Sequence, residues 1–391
     1  FSVGRFPMRS LWVEAYVLEG QPTGVGRFLG NLLAEWRRSG CPWEIRLLGR
    51  DRLAAAWQTL ESAFPRIPLH TKSSSFLFWQ QGVVRRWLQK QNPAGVYFGP
   101  NYTLPLGVPQ PRVLVFHDAS FFRHPEWFDW RMRWFKCRVI RRSVREADLV
   151  LVPSEFTRRE LLDLHGGIAP EKIVVVPEGW DPRFRQPPPI PQGELRGRYG
   201  LPSEAPVVLS VGSVFHRRRM DILLRAWGEM RQGATGPVPR LVVLGANRTH
   251  PFVDYRRIIE AEGLGGLVSW LDYAEEDVLH SFYHAADAVV YLSEYEGFGL
   301  PVLEGLAAGK PVIVSDIPVF RELYGEAVYR IPLRSEALVA TLRDVLRERR
   351  QPPGARDVLK RFDWSRAAAV AREALDEVFR RRRLGAGSSV V

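Results

Sequence analysis

Along the chain, short apolar runs alternate with longer stretches whose apolar residues recur every three to four positions. Residues 11–17 read as a first strand. Residues 25–38 read as a helix, because Phe28, Leu29, Leu32, Leu33 and Trp36 fall on one helical face. Strand-like runs follow at 43–48, 95–98, 113–116, 149–152 and 173–176. Most are continuously apolar, the pattern of strands covered on both faces of a parallel sheet. The run 187–191, Pro-Pro-Pro-Ile-Pro, is stiff and extended and has no place inside a helix. Beyond it the alternation resumes, with strand-like runs at 207–211, 241–244, 267–271, 288–292 and 312–314. The helix predicted over 220–230 lines up Met220, Leu223, Leu224, Trp227 and Met230, a packing stripe rather than a cofactor site. A last helix is predicted over 364–383. The pattern predicts two α/β domains with mostly parallel sheets: residues 8–185, a linker over 186–205, residues 206–362, and a terminal helix over 363–385.

Composition narrows this picture. The 391 residues suit two domains, and 46% hydrophobic with 25% charged residues excludes a disordered chain. The two cysteines, Cys41 and Cys137, lack metal-ligand spacing and read as inert thiols in a reducing compartment. No group with the spacing of a metal site appears elsewhere. The 55 basic and 43 acidic residues give a net charge of +12, which admits nucleic acid, an anionic membrane or an acidic substrate as partner. The basic residues are spread over many helices, with denser spots at 131–145, 217–219, 347–350 and 380–383, so no nucleic-acid module stands out. No apolar run approaches the ~20 residues of a spanning helix, and no signal peptide is visible. A cytoplasmic location is therefore expected. Met8 reads as the natural start, with residues 1–7 as a stub before it.

Four stretches carry candidate chemistry. The run 293–304, Ser-Glu-Tyr-Glu-Gly-Phe-Gly-Leu-Pro-Val-Leu-Glu, follows an apolar strand and leads into a helix opened by Pro301. Such a turn leaves backbone N–H groups and a positive dipole end free for an anion, and Gly297 and Gly299 permit close approach. Glu296 lies in the loop and Glu304 in the expected first helical turn. Carboxylates there suit a ligand that also carries hydroxyls, although a first-turn acid is also favoured by the helix dipole alone. At 217–219, three arginines stand just before a helix, an unfavourable place for positive charge unless an anion binds; a solvated charge run is the alternative. Gly24 and Gly26 form a turn before the first helix, without the third glycine and later acid of a dinucleotide site. His117 and Asp118 end a strand, where α/β sheets place site residues; Asp118 could orient the imidazole, or the pair is structural. The helix over 130–144 interleaves Trp130, Trp134, Phe135 and Val139 with arginines and Lys136. That fits either a packed helix with a solvated basic face or one lying on an anionic bilayer.

The run 293–304 resembles the Glu-x7-Glu signature of the family 4 retaining glycosyltransferases. Further similar blocks are the glycine turn at 23–28, His-Asp-Ala-Ser-Phe-Phe at 117–122, the arginines after Val211-Gly212, and 309–322. The resemblance covers nearly the whole chain from Met8. It implies the GT-B fold: two Rossmann-like domains facing each other across a cleft, with the terminal helix crossing back to the first. It also implies transfer of a hexose from a nucleotide-diphosphate sugar, with no cofactor and no metal. In it, Glu296 takes the donor sugar and Glu304 the ribose. Arg217 and Arg218 take the diphosphate, although arginine stands where lysine is usual at the second place. His117, with Asp118 beside it, faces the transferred sugar and acceptor. Gly24 and Gly26 line the diphosphate, the segment around Tyr273 reads the base, and Phe298, Gly299 and Leu300 complete the donor loop. Catalysis would fall to His117, Glu296, Arg217 and Arg218. Asp272 stands where glycine is common, and Glu178 where asparagine is usual. The likeness to polysaccharide mannosyltransferases implies GDP-mannose as donor. A lipid-linked glycan would be the acceptor, at the inner face of the cytoplasmic membrane. A sugar-nucleotide epimerase of the same layout, a basic nucleic-acid-binding protein and a catalytically silent glycan or nucleotide binder are the alternatives.

Overall fold

The computed structural model describes residues 9–387 apart from 235 and 349, with side chains as far as residue 381. Met8 as expected start, Arg349, and the side chains of Arg382 and Arg383 lie outside the described residues. Within the described residues the chain divides into two bodies: 9–122, 131–178 and 364–387 belong to the first, and 123–130 and 179–363 to the second.

The first body holds strands β1 (Arg9–Glu14), β2 (Trp43–Gly49), β3 (Arg66–Pro68), β4 (Val96–Gly99), β5 (Arg112–Val115), β6 (Leu149–Val152) and β7 (Ile173–Val175). They form one parallel sheet in the order β3-β2-β1-β4-β5-β6-β7, so the direction of winding reverses between β1 and β4. The strand expected to reach residue 17 stops at Glu14, and a 3-10 turn, Tyr16–Leu18, follows. Helix α1 (Gly24–Ser39) starts where the Thr23 hydroxyl accepts from the Gly26 N–H at 3.2 Å. Helix α2 (Trp130–Glu146) buries Cys137, Val139, Ile140, Ser143 and Val144.

The second body holds β8 (Val207–Val211), β9 (Arg240–Leu244), β10 (Val268–Leu271), β11 (Ala288–Tyr291), β12 (Val312–Ser315) and β13 (Tyr329–Ile331), with helices α3 (Met220–Gln232), α4 (Tyr255–Ala261), α5 (Glu276–Ala285) and α6 (Leu300–Ala307). Its parallel sheet runs β10-β9-β8-β11-β12-β13, reversing between β8 and β11. Trp227, on the buried face of α3, is fully buried and donates to the Pro239 carbonyl at 2.8 Å. The proline-rich stretch packs within this body: the Ile190 N–H donates to the Ser281 hydroxyl on α5 at 3.1 Å.

The last helix, α7 (Trp364–Gly387), returns to the first body, as the resemblance implied. The indole of Trp36 on α1, fully buried, donates to the Ala368 carbonyl at 3.0 Å. Asp376 pairs with Arg9 at 2.7 Å and accepts from the Trp43 indole at 3.2 Å. Burying aromatics of this size supplies several kcal/mol, which fixes the helix where it lies. The two strands missed from sequence, β3 and β13, are three-residue edge strands, and Arg66-Ile67-Pro68 is nowhere fully buried. Among the described residues no helix is long and apolar enough to cross a membrane.

Candidate functional site

In parallel sheets, ligands gather beyond the carboxyl ends of the strands where the winding reverses. In the second body that point lies between β8 and β11, and the loops that follow these two strands carry the arginines and Glu296. The loops are tied to each other: the Glu294 N–H donates to the Arg217 carbonyl at 2.8 Å. The Ser293 N–H donates to the Ser315 hydroxyl at 2.7 Å, which anchors the second loop to β12.

Arg218 lies over the Tyr291 ring at 3.8 Å, and its Nη1 stands 3.3 Å from Glu296 Oε1. Arg217 Nε stands 3.5 Å from the same oxygen, and the Ser293 hydroxyl donates to it at 2.8 Å. Two guanidiniums on one carboxylate leave a net positive site. The Nε and Nη1 groups of Arg218 are buried and meet no acceptor in hydrogen-bond geometry among the described residues. A buried cationic donor left so is costly unless a ligand oxygen completes it. Arg219 turns away. Its backbone is left-handed (φ 44°), and its guanidinium pairs with Asp221 at 2.8 Å and Glu294 at 2.7 Å, which raise its pKa. Burial pushes the Tyr291 phenol up, so it stays protonated beside the arginines.

Gly299 caps α6 in the left-handed region (φ 102°), where a Cβ would meet the Phe320 ring at 3.0 Å. The Tyr324 hydroxyl donates to the carbonyls of Phe298 and Gly299 at 3.2 and 3.1 Å. Because Gly299 forms the cap, α6 begins at Leu300 and Pro301 is its second residue. Glu304 therefore falls past the first turn, a correction to the sequence reading, and the dipole of that turn does not account for it. Its buried carboxylate accepts from the Tyr283 hydroxyl on α5 at 2.6 Å. The side chain of Phe298 is buried against Phe362 and Tyr324, so it offers a ligand its backbone rather than its ring. Tyr273 stands exposed in the turn after β10, two strands from the reversal, and does not join the Arg218–Glu296 cluster. Asp272 makes a surface pair with Arg256 at 2.9 Å. A cavity of about 760 Å³ nearby is lined by Trp127, His216, Arg219, Asp221, Arg225 and Glu294, among others, but by none of Arg217, Arg218, Glu296 or Glu304.

In the first body, Gly24 and Gly26 differ in kind. A Cβ on Gly26 would stand 2.6 Å from the Val17 carbonyl oxygen, so packing alone demands that glycine. Gly24 has open space around it. His117 Nε2 lies 2.7 Å from the Pro100 carbonyl, which can only accept; Nε2 therefore carries the proton and Nδ1 the lone pair. Burial pushes the imidazole pKa below its usual 6.5, against the pull of Pro100 and Asp118. Its orientation thus comes from Pro100, while Asp118 accepts from the Ser120 N–H and hydroxyl at 2.9 and 2.5 Å.

Two residues here were not singled out from sequence. The Lys136 amine lies 3.9 Å over the Phe121 ring, and burial lowers its pKa to about 8 against the pull of the Asp118 charge. Glu14, fully buried at the end of β1, accepts from Tyr97 at 2.5 Å and Gln80 at 2.7 Å, and burial raises its pKa to about 7. An acid closing an apolar strand was the available signal for Glu14; nothing distinguished Lys136 from the arginines around it. Among the described residues, no three His, Cys, Asp or Glu side chains group as metal ligands would.

Two family models match the chain: Glycosyltransferase Family 4 over residues 22–184 and Glycosyl transferases group 1 over residues 191–361. The chain is similar to O-antigen chain mannosyltransferase B of Escherichia coli, 28% identical over 242 residues, 62% of each chain. It is also similar to the D-inositol 3-phosphate glycosyltransferase of Kineococcus radiotolerans, 34% identical over 182 residues, 44% of this chain and 41% of that one. The matches thus span less than two thirds of these curated relatives. Among solved structures, Anabaena HepE in complex with UDP and glucose superposes with a TM-score of 0.75 at 19% identity, over 95% of this chain and 100% of that one. Sucrose-phosphate synthase from Thermosynechococcus elongatus gives 0.75 at 17% identity, over 95% and 99%. These likenesses give the fold as GT-B.

Proposed function

This chain belongs to the family 4 glycosyltransferases, and on that premise we propose that it moves a hexose from a nucleotide-diphosphate sugar to a glycan or lipid-linked glycan, with retention of anomeric configuration. The observation that carries this reading is Arg218: a buried guanidinium with N–H groups lacking an acceptor, beside Glu296 at the β8–β11 reversal. A diphosphate leaving group supplies acceptor oxygens for those N–H groups, and Glu296 accepts from the hydroxyls of the sugar next to it. Arg217 shares the diphosphate, as do the first amides of α6 after Gly299. Glu304 takes the ribose and the segment at Tyr273 the base. His117, its Nδ1 lone pair available, takes an oxygen of sugar or acceptor, with Asp118 beside it. Gly24 and Gly26 are the first body's candidates for the phosphates in this reading.

In the transfer, the bond between the sugar's anomeric carbon and the phosphate oxygen breaks, and a bond from that carbon to the acceptor oxygen forms on the same face. The acceptor proton passes to the departing phosphate. One preorganised donor to that charge is worth about 3 kcal/mol, or about a hundredfold in rate. The arginines supply this charge without a divalent ion in our reading.

GDP-mannose is the donor we favour, supported by the likeness to the Escherichia coli mannosyltransferase. UDP-glucose is the second reading, supported by the UDP and glucose held in Anabaena HepE. A panel of nucleotide sugars tests both by thermal melting, since a ligand at about one hundred times its Kd stabilises by about 2.7 kcal/mol. The matching donor should raise the melting point and release nucleoside diphosphate only when acceptor is present, with chelator making no difference. Turnover without acceptor would make the chain an epimerase. Loss of activity with chelator, restored by metal, would overturn the metal-free reading. Salt-sensitive binding to nucleic acid with no response to any sugar nucleotide would overturn the assignment altogether.

A further inference from the structure

The outward face of α2 has a composition that the sequence concealed. Along the chain its aromatic and basic residues interleave; burial of part of the helix leaves an exposed set that is mostly aromatic in the first two turns, with Arg131 among them, and basic beyond. Met132, Trp134 and Phe135, in the first two turns, are 62%, 59% and 50% exposed. Arg138, Arg141, Arg142 and Arg145 follow at three- and four-residue steps and are all exposed. Arg142 pairs with Glu146 at 2.7 Å. Arg138, Arg141 and Arg145 have no carboxylate within ion-pair distance among the described residues. Arg138 lies 4.8 Å over the Trp134 ring, bridging the apolar end and the basic shank.

We propose that this face docks on an anionic lipid bilayer, with Trp134 and Phe135 entering the headgroup boundary and Arg138, Arg141 and Arg145 on lipid phosphates. Exposed aromatics gathered at one end are costly in water and are what an interfacial helix inserts. The arginine row runs from 138 to 145, about 10 Å at 1.5 Å per residue, enough to span more than one headgroup. Charge complementarity selects the lipid: a row of cations without carboxylate partners, on a chain of net charge +12, matches an anionic leaflet. The inference deepens the proposed lipid-linked acceptor but rests on this face alone.

The test uses the full chain and sedimentation with vesicles of phosphatidylcholine, or of phosphatidylcholine with about one third phosphatidylglycerol to supply the anionic charge. Single-stranded RNA and the chain's own self-association serve as parallel arms. Binding to the anionic vesicles only, weakened by salt and with a blue shift of tryptophan emission, is the expected result. Trp134→Ser with Phe135→Ser should abolish the shift. Arg138→Ala, Arg141→Ala and Arg145→Ala together should weaken partitioning by about a hundredfold, roughly fivefold per charge. Each variant should keep the wild-type melting point and its response to sugar nucleotide. Equal binding by the variants, equal binding to neutral vesicles, binding of RNA alone, or a dimer that the variants dissolve without any vesicle binding would each overturn the proposal. Vesicle binding without sugar transfer would sink the enzymatic reading and leave this one standing.

Discussion

Arg218→Ala separates the roles of a single side chain in folding and in transfer. The arginine side chain is 13% exposed, 3.8 Å from the Tyr291 ring and 3.3 Å from Glu296. Its loss removes a desolvated cation–π contact, about 1–2 kcal/mol. Glu296 is not orphaned, because Arg217 stays at 3.5 Å and the Ser293 hydroxyl at 2.8 Å. The melting point should therefore fall by only a few degrees, at about 2–4 °C per kcal/mol for a domain of this size. The effect on transfer is larger: a preorganised donor to the departing diphosphate is worth about 3–4 kcal/mol, a hundred- to thousandfold in kcat. Arg218→Lys keeps the charge but loses the planar fork, and should fall between. Initial rates of nucleoside diphosphate release at saturating donor, taken with melting curves, give both quantities. Wild-type kcat in Arg218→Ala would refute the assignment. So would a loss of rate that only follows unfolding, because the reasoning requires the folded variant to be slow.

Other expectations rest on single contacts. Tyr283→Phe takes one donor from the buried Glu304 carboxylate, costing about 1–3 kcal/mol of stability; donor KM should rise more than kcat falls, as steady-state kinetics will show. Gly299→Ala forces a side chain into the left-handed region against the Phe320 ring and should cost about 1–2 kcal/mol and weaken donor binding; an unchanged melting point would count against this cap. Glu14→Gln should flatten the pH dependence of stability. With a folded pKa of about 7 against 4.5, the native state holds a proton that the unfolded chain releases, so wild-type stability falls as pH rises from 4.5 to 7, by about 3 kcal/mol at most. Denaturant melts at pH 5 and pH 8 should differ for the wild type and much less for the variant, and parallel curves would rule out Glu14 as the source.

The sequence revealed those parts of the molecule that repeat a local rule. Continuous apolar runs marked the buried strands of both sheets, and the Phe28-to-Trp36 stripe marked α1, because burial on a parallel sheet dictates those residues whatever the loops do. The short edge strands left no such imprint: Arg66-Ile67-Pro68 pairs on one side only and is not fully buried. In the loops after β8 and β11, Glu296, Gly299 and the arginines were legible from sequence, since a strand, a glycine turn and misplaced positive charge are all local signals. The sequence did not supply Tyr283 or Ser293, which hold Glu304 and Glu296 from elsewhere in the fold or by a contact that only folding creates.

The start of α6 illustrates the same boundary at a finer scale. Proline opening a helix is a sound expectation, but a glycine able to adopt φ 102° just ahead of it lets the helix begin one residue earlier. That moves Glu304 out of the first turn, where a dipole would have explained it, and leaves a buried carboxylate that the Tyr283 hydroxyl holds. The exposed face of α2 is the converse case. Its residues were all visible, yet which of them meet water depends on the five side chains that α2 buries. Periodicity can assign a residue to a helical face; it takes the packed neighbour to say which face remains for a partner.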